Sequence, residues 1–259
     1  MILLLPILAT AYLCLLEVTF ETVSFSRDHH NAILNVLRSL DGDFLEKTGC
    51  YFGGGTAISL ALDEYRESAD IDFLCASLEG YRALRSAIAG QPNLNNILRP
   101  KTQLECVREV RANQYGLRTV VHSQGANFKF EMVREVRIDL QGELDARYGL
   151  PVLSRPCMYA EKLLANSDRW YAPEVAIRDI LDLSVMISRW GPIPKDAWEI
   201  AEAAYGNKVR EDFRKAVDKI RNPEHIQSCA KKMQIENDVV EEILCVHGGA
   251  YESEPSPLD

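Results

Sequence analysis

The chain has 259 residues, enough for one large domain or two modest ones with buried cores. Hydrophobic residues make up 47% and charged residues 26%, and the net charge of −9 excludes a general nucleic-acid coat, which needs a basic footprint to displace counterions. Seven scattered cysteines with no C-x-x-C pair exclude a disulfide framework and a zinc-finger spacing, and suit reduced thiols in a cytoplasmic protein.

The opening MILLLPILATAYLCLL is apolar, but no basic residue precedes it and Glu17 and Glu21 follow at once. It reads as a buried helix, or as a start codon placed too far upstream, rather than a membrane segment. RDHHNAILNVLRSL carries Ile33, Leu34, Leu37 and Leu40 at helical spacing, with Ser26 or Asp28 as N-cap. GCYFGGG reads as a strand running into a glycine turn, TAISLALDEY as a helix, DIDFLC as a strand and EGYRALRSAIAG as a helix. Three β-rich runs follow, LECVREV, LRTVVHS and NFKFEMV, with VRIDL as a fourth. Basic residues outnumber acidic ones between Arg99 and Arg137, a run read as a solvated face, with a local basic groove as the other reading. From Pro156 onward CMYAEKLLANSDRW, EVAIRDILDLSVMISRW, KDAWEIAEAAYG, VREDFRKAVDKI and VVEEILCV all read as helices. The expectation is an α/β (α+β) protein: a helical segment over 1–48, a mixed-sheet domain over 49–155 and a helical region over 156–259 ending in a disordered tail.

The chemistry concentrates between Gly53 and Cys75. Gly53, Gly54 and Gly55 let the backbone turn sharply and come close to a ligand, since they lack Cβ. The helix that follows presents free N–H groups and the positive end of its dipole, and Thr56 is placed to cap it. The pattern fits neither G-x-G-x-x-G nor the G-K-[ST] ending of a P-loop. In DIDFLC the period of two puts Asp70 and Asp72 on one face, roughly 7 Å apart, and Ile71, Phe73 and Cys75 on the other. Taken alone, D-x-D is better explained by a solvated strand end. Two carboxylates pointing the same way repel each other, and a hard divalent cation such as Mg2+ relieves the conflict. A third acid is expected from a later strand: Glu131 in NFKFEMV is favoured on its flanking pattern, and Asp139 in VRIDL is its rival. Three such carboxylates could hold two metals around a phosphoryl displacement.

GGGTA followed by RESADID resembles the signature of the polymerase-β-like nucleotidyltransferase superfamily, and Arg66 and Ser68 ahead of Asp70-Ile71-Asp72 resemble the R-x-S-x-D-I-D form of the AbiEii/AbiGii toxin family. The lysine and glutamate of FKFEMV match that family too, which raises Glu131 over Asp139. So does EKLLANSDR followed by IRDILDL, in which Lys162 and Arg169 share a helix face and Arg178 lies one turn from Asp182. The resemblance covers Gly53 to Leu183 and implies a nucleotidyltransferase fold. It implies that Gly54, Gly55, Thr56, Arg66, Ser68 and Lys162 bind the nucleotide, that Asp70, Asp72 and Glu131 ligate Mg2+ and act in catalysis, and that Asp179 is a base or orienting group. The implied reaction moves a nucleoside monophosphate from an NTP to tRNA or another hydroxyl-bearing acceptor, in a toxin paired with an antitoxin and free of the membrane. Two other classes compete: a non-catalytic nucleotide- or partner-binding module, against which all three carboxylates speak, and a D-x-D glycosyltransferase with a doubly wound sheet, against which the early glycine-threonine turn speaks.

Overall fold

A computed structural model describes residues 20–172 and 177–248, so the apolar opening and the acidic tail lie outside the described residues. The described residues form an eight-stranded mixed sheet: β1 (Cys50–Gly53), β2 (Asp70–Cys75), β3 (Glu105–Cys106), β4 (Arg111–Ala112), β5 (Gly116–Ser123), β6 (Ala126–Arg134), β7 (Gly142–Asp145) and β8 (Leu150–Leu153). Its order is β3-β5-β6-β2-β1-β8-β7, with β4 also on β5. β2 runs parallel to β6 and antiparallel to β1, so this is not the doubly wound sheet of the glycosyltransferase alternative. The α/β architecture expected from the sequence is the one found.

Strict alternation builds the sheet. Ile71, Phe73 and Cys75 of β2 and Phe128, Phe130 and Met132 of β6 are buried, while Asp70, Asp72, Lys129 and Glu131 occupy the other face. Phe73 sits between Phe52 of β1 and Phe130 of β6, with ring centroids 5.5 and 5.7 Å away, so three neighbouring strands share one aromatic layer. Helices α1 (Asp28–Ser39), α2 (Gly42–Lys47) and α4 (Leu78–Ile88) pack on the sheet, and α3 (Gly54–Ala61) joins it to the helices that follow. Those are α5 (Arg155–Arg169), α6 (Arg178–Trp190), α7 (Lys195–Tyr205), α8 (Lys208–Ile220), α9 (Pro223–Lys232) and α10 (Asn237–Gly248). α5 is their hub, packed on α6, α7 and α8. No helix among the described residues is long and apolar enough to cross a membrane.

Four expectations are corrected. α1 is not capped by Ser26 or Asp28; its N-cap is Arg27, and the Glu64 carboxylate accepts from the Ser26 and Arg27 amides at 2.6 and 3.1 Å. The same glutamate ends α3 early, because Asp63 and Glu64 turn into the left-handed region (φ 56° and 53°) to bring it there. LECVREV is not one strand: β3 and β4 are two residues each, and the chain between them loops out where the Thr119 hydroxyl donates to the Arg108 carbonyl at 2.6 Å. VRIDL is not a strand at all, since the Glu135 carboxylate accepts from the amides of Val136 and Arg137 at 2.8 and 2.6 Å and turns the chain away from β6.

Candidate active site

The glycine turn and the aspartates meet directly. Gly53 ends β1 in register with Asp72, and Gly54 leaves the strand at φ +71°. A Cβ on Gly54 would lie 2.8 Å from Asp72 Oδ2 and 3.0 Å from its Cβ, so both conformation and space demand glycine. The N-cap of α3 is Gly53, which has no side chain, and no side chain caps the first amides of the helix. Thr56 is therefore not the cap. It is fully buried, and its hydroxyl donates to the Asp70 carbonyl and shares a 2.8 Å hydrogen bond with Ser68 Oγ. Both hydroxyls expected to hold a nucleotide instead pin the start of β2 to the start of α3. Thr56→Val keeps the shape and leaves the Asp70 carbonyl without this donor, which is expected to cost about 1–2 kcal/mol in denaturant unfolding; an unchanged midpoint would refute the assigned duty.

Pairing extends this contact into a row. Gly53 faces Asp72, Asp72 faces Glu131, Glu131 faces Arg118 and Arg118 faces Arg111, one residue from each of five neighbouring strands. Asp70 is in register with Lys129 one step along. Glu131 thus lies beside the aspartates, whereas Asp139 is an exposed loop residue away from them. Burial, Asp70 and Glu131 together push the Asp72 carboxyl up to about 6. Burial works the same way on Glu131 but is outweighed by Lys129 and Arg118, whose cationic nitrogens lie 2.8 and 2.5 Å from its oxygens, and its carboxyl is held below the usual range. As the side chains stand, Glu131 is engaged by these two cations, and among the described residues no group of three or more His, Cys, Asp and Glu is arranged to hold a metal ion. Asp70 and Asp72 are the pair available to one.

Behind the turn lies a buried ionic network that joins the sheet domain to α5 and α6. Asp182, with 0% exposure, accepts from Arg66 Nε at 2.7 Å and Nη2 at 3.1 Å, from Tyr65 Oη at 2.5 Å and from Lys162 Nζ at 2.6 Å. Lys162 also reaches Asp179 at 3.1 Å, and Arg169 closes on Asp179 at 2.6 and 2.8 Å. Burial alone would raise Asp182, but Arg66 and Lys162 outweigh it and hold the carboxyl well below the carboxylate range. Burial is likewise outweighed at Asp179, by Lys162 and Arg169. Two sequence expectations shift accordingly. Arg66 is buried, with its remaining donor on the Glu67 carbonyl at 2.9 Å, so it supports the turn from behind rather than lying open to a nucleotide. Asp179 is buried with both oxygens on cations, which suits an anchor and not a base exposed to substrate. Asp182, one turn from Arg178, pairs with Arg66 and Lys162.

A glycine turn thus lies in contact with the second aspartate of a strand-borne D-x-D, with a third carboxylate in register beside it. The model of the nucleotidyl transferase AbiEii toxin family, of type IV toxin–antitoxin systems, matches residues 36–242, and the chain belongs to this family. The match extends beyond the motifs read from the sequence, back into α1 and on into α10. No curated protein matches the sequence. Among solved structures, JHP933 from Helicobacter pylori aligns over 87% of this chain and 92% of its own, at 16% identity and a TM-score of 0.49. An antigenic nucleotidyltransferase-like protein from Paracoccidioides brasiliensis aligns over 85% and 94%, at 11% identity and a TM-score of 0.33.

Proposed function

We propose that the protein is a Mg2+-dependent toxin that transfers a nucleoside monophosphate from an NTP to an acceptor hydroxyl, and that an antitoxin partner restrains it in the cytoplasm. The observation that carries this reading is the cross-strand row from Gly53 through Asp72 to Glu131, with Gly54 in contact with Asp72. The unpaired amides at the start of α3 face the anionic end of the nucleotide, which the helix dipole favours. Lys162, whose positive charge already acts on Asp72, adds to that attraction from α5.

The donor set fits the metal. Asp70 and Asp72 are hard oxygen donors on one strand face, and the raised Asp72 carboxyl marks a site short of positive charge. They would hold Mg2+, with Glu131 in register to join them, and the ion when bound supplies positive charge to the phosphate oxygens. The acceptor oxygen bonds to the α-phosphorus and the bond from that phosphorus to the bridging oxygen breaks. Pyrophosphate leaves with the electron pair, and the hydroxyl proton passes to the carboxylate row. Such a displacement asks of the protein mostly positioning and charge, which is what the row and the turn offer. Arg111, Arg118 and Lys129, all exposed beside the acids, support a polyanionic acceptor such as tRNA despite the overall charge of −9.

The test is incubation with each radiolabelled NTP, Mg2+ and total tRNA, beside an Asp70→Ala/Asp72→Ala control. Label transfer by the wild-type protein alone is expected. Transfer that persists in the control would remove the aspartates from the reaction, and no transfer with any NTP would favour the non-catalytic binding module.

A further inference from the structure

The sheet carries the D-x-D and the glycine turn, yet the side chain that fills the space behind the turn is held from the other half of the chain. A Cβ built on Gly55 would meet Arg66 Nη2 at 2.3 Å and Cζ only at 3.5 Å, so the guanidinium points its Nη2 end at the turn backbone. Arg66 cannot swing clear. Its fork is locked to both oxygens of Asp182, Nη1 is on the Glu67 carbonyl, and its own carbonyl accepts from Ser59 Oγ of α3 at 2.7 Å. A bidentate guanidinium–carboxylate pair fixes direction as well as distance. The same Asp182 takes Lys162, so one carboxylate on α6 orients both the guanidinium against the turn and a lysine whose charge acts on Asp72.

We propose that Asp182 is the positioning residue of the site, setting the glycine turn through Arg66 and the reach of Lys162 toward Asp72. It touches no substrate. Resting on the proposed nucleotidyl transfer, this makes NTP binding depend on a residue 110 positions after Asp72 in a different structural layer. It also gives the arginine of R-x-S-x-D-I-D a duty other than phosphate contact: the planar fork is the wall against which Gly55 must be glycine. Lysine at 66 would keep the charge and lose the wall.

The test compares wild type with Arg66→Lys, Asp182→Asn and Tyr65→Phe. The first readout is amide hydrogen exchange without nucleotide, at Ile58 to Leu60, where the first hydrogen bonds of α3 close, against the Phe73 and Phe130 amides of the sheet. In Arg66→Lys and Asp182→Asn, exchange at Ile58 to Leu60 is expected to quicken about tenfold more than at the sheet amides, which follow only the loss of global stability, with a smaller difference in Tyr65→Phe. The second is steady-state transfer, in which KM for the NTP is expected to rise about tenfold in Arg66→Lys while kcat stays within about threefold. Unchanged α3 exchange, or an equal quickening throughout the sheet, overturns the proposal, as does a kcat loss with KM unaltered. If Asp182→Asn does not fold, Arg66→Lys and Tyr65→Phe still decide it. Exchange is read without substrate, so a wild-type protein that transfers nothing would end the nucleotidyl-transfer reading and leave this one to be judged on the turn alone.

Discussion

Asp72→Asn is expected to abolish nucleotidyl transfer, by about 10³-fold or more, and to make the metal-free protein more stable above pH 6. The two effects share one cause. Asp72 sits half-buried beside Asp70 and Glu131, and its carboxyl is raised to about 6, above its value in an unfolded chain. A carboxyl raised by folding contributes stability that is fully present below its unfolded value and is lost as pH rises through its folded value. At pH 8 without metal the folded protein therefore carries an ionised Asp72 at a cost on the order of 2 kcal/mol, allowing for partial exposure. Asparagine removes that cost, and in a chain of this size the gain corresponds to roughly 4–8 °C in Tm. In chelator, the Tm difference between variant and wild type should be large at pH 8 and shrink toward zero at pH 4. A difference independent of pH, or a variant that still transfers at the wild-type rate, would contradict this account.

Asp182→Ala is expected to cost about 3–5 kcal/mol, the range for removing one partner of a buried ion pair. The loss strands Arg66, which keeps only weaker partners, and halves the ligation of Lys162, all in a region closed to water. The exposed pair Lys195–Glu199 gives the contrast. Its side chains are 91% and 61% exposed, and Glu199→Ala should change stability by less than about 0.5 kcal/mol. Urea unfolding of both variants at pH 7 measures the difference, and similar costs would mean that the network is not buried in solution.

What was legible in the sequence is what local pattern controls. DIDFLC and NFKFEMV alternate strictly, so their strands and the faces of Asp70, Asp72 and Glu131 follow from period two. Three consecutive glycines before an apolar run announce the turn. The misses come from distant partners. VRIDL has strand composition, but one carboxylate, Glu135, captures two successive amides and overrides it. α3 looks longer in sequence than it is, because Glu64 is drawn off to the start of α1. At the site, Arg66 and Asp182 are each visible in a motif, but nothing local joins residues 116 positions apart. The short α2, α9 and the β7–β8 pair also went unread, since none has an apolar period long enough to stand out.

The register of β2 against its two neighbours has a consequence for how this protein can change. Side chains alternate faces at every residue, so sliding β2 by a single position against β1 and β6 would send both aspartates into the aromatic layer and Ile71 and Phe73 into water. No intermediate slippage exists that preserves half the site. Descendants of this chain can swap what stands at each rung of the ladder, and can lengthen the loops beyond it, but they cannot slide one rail past the other.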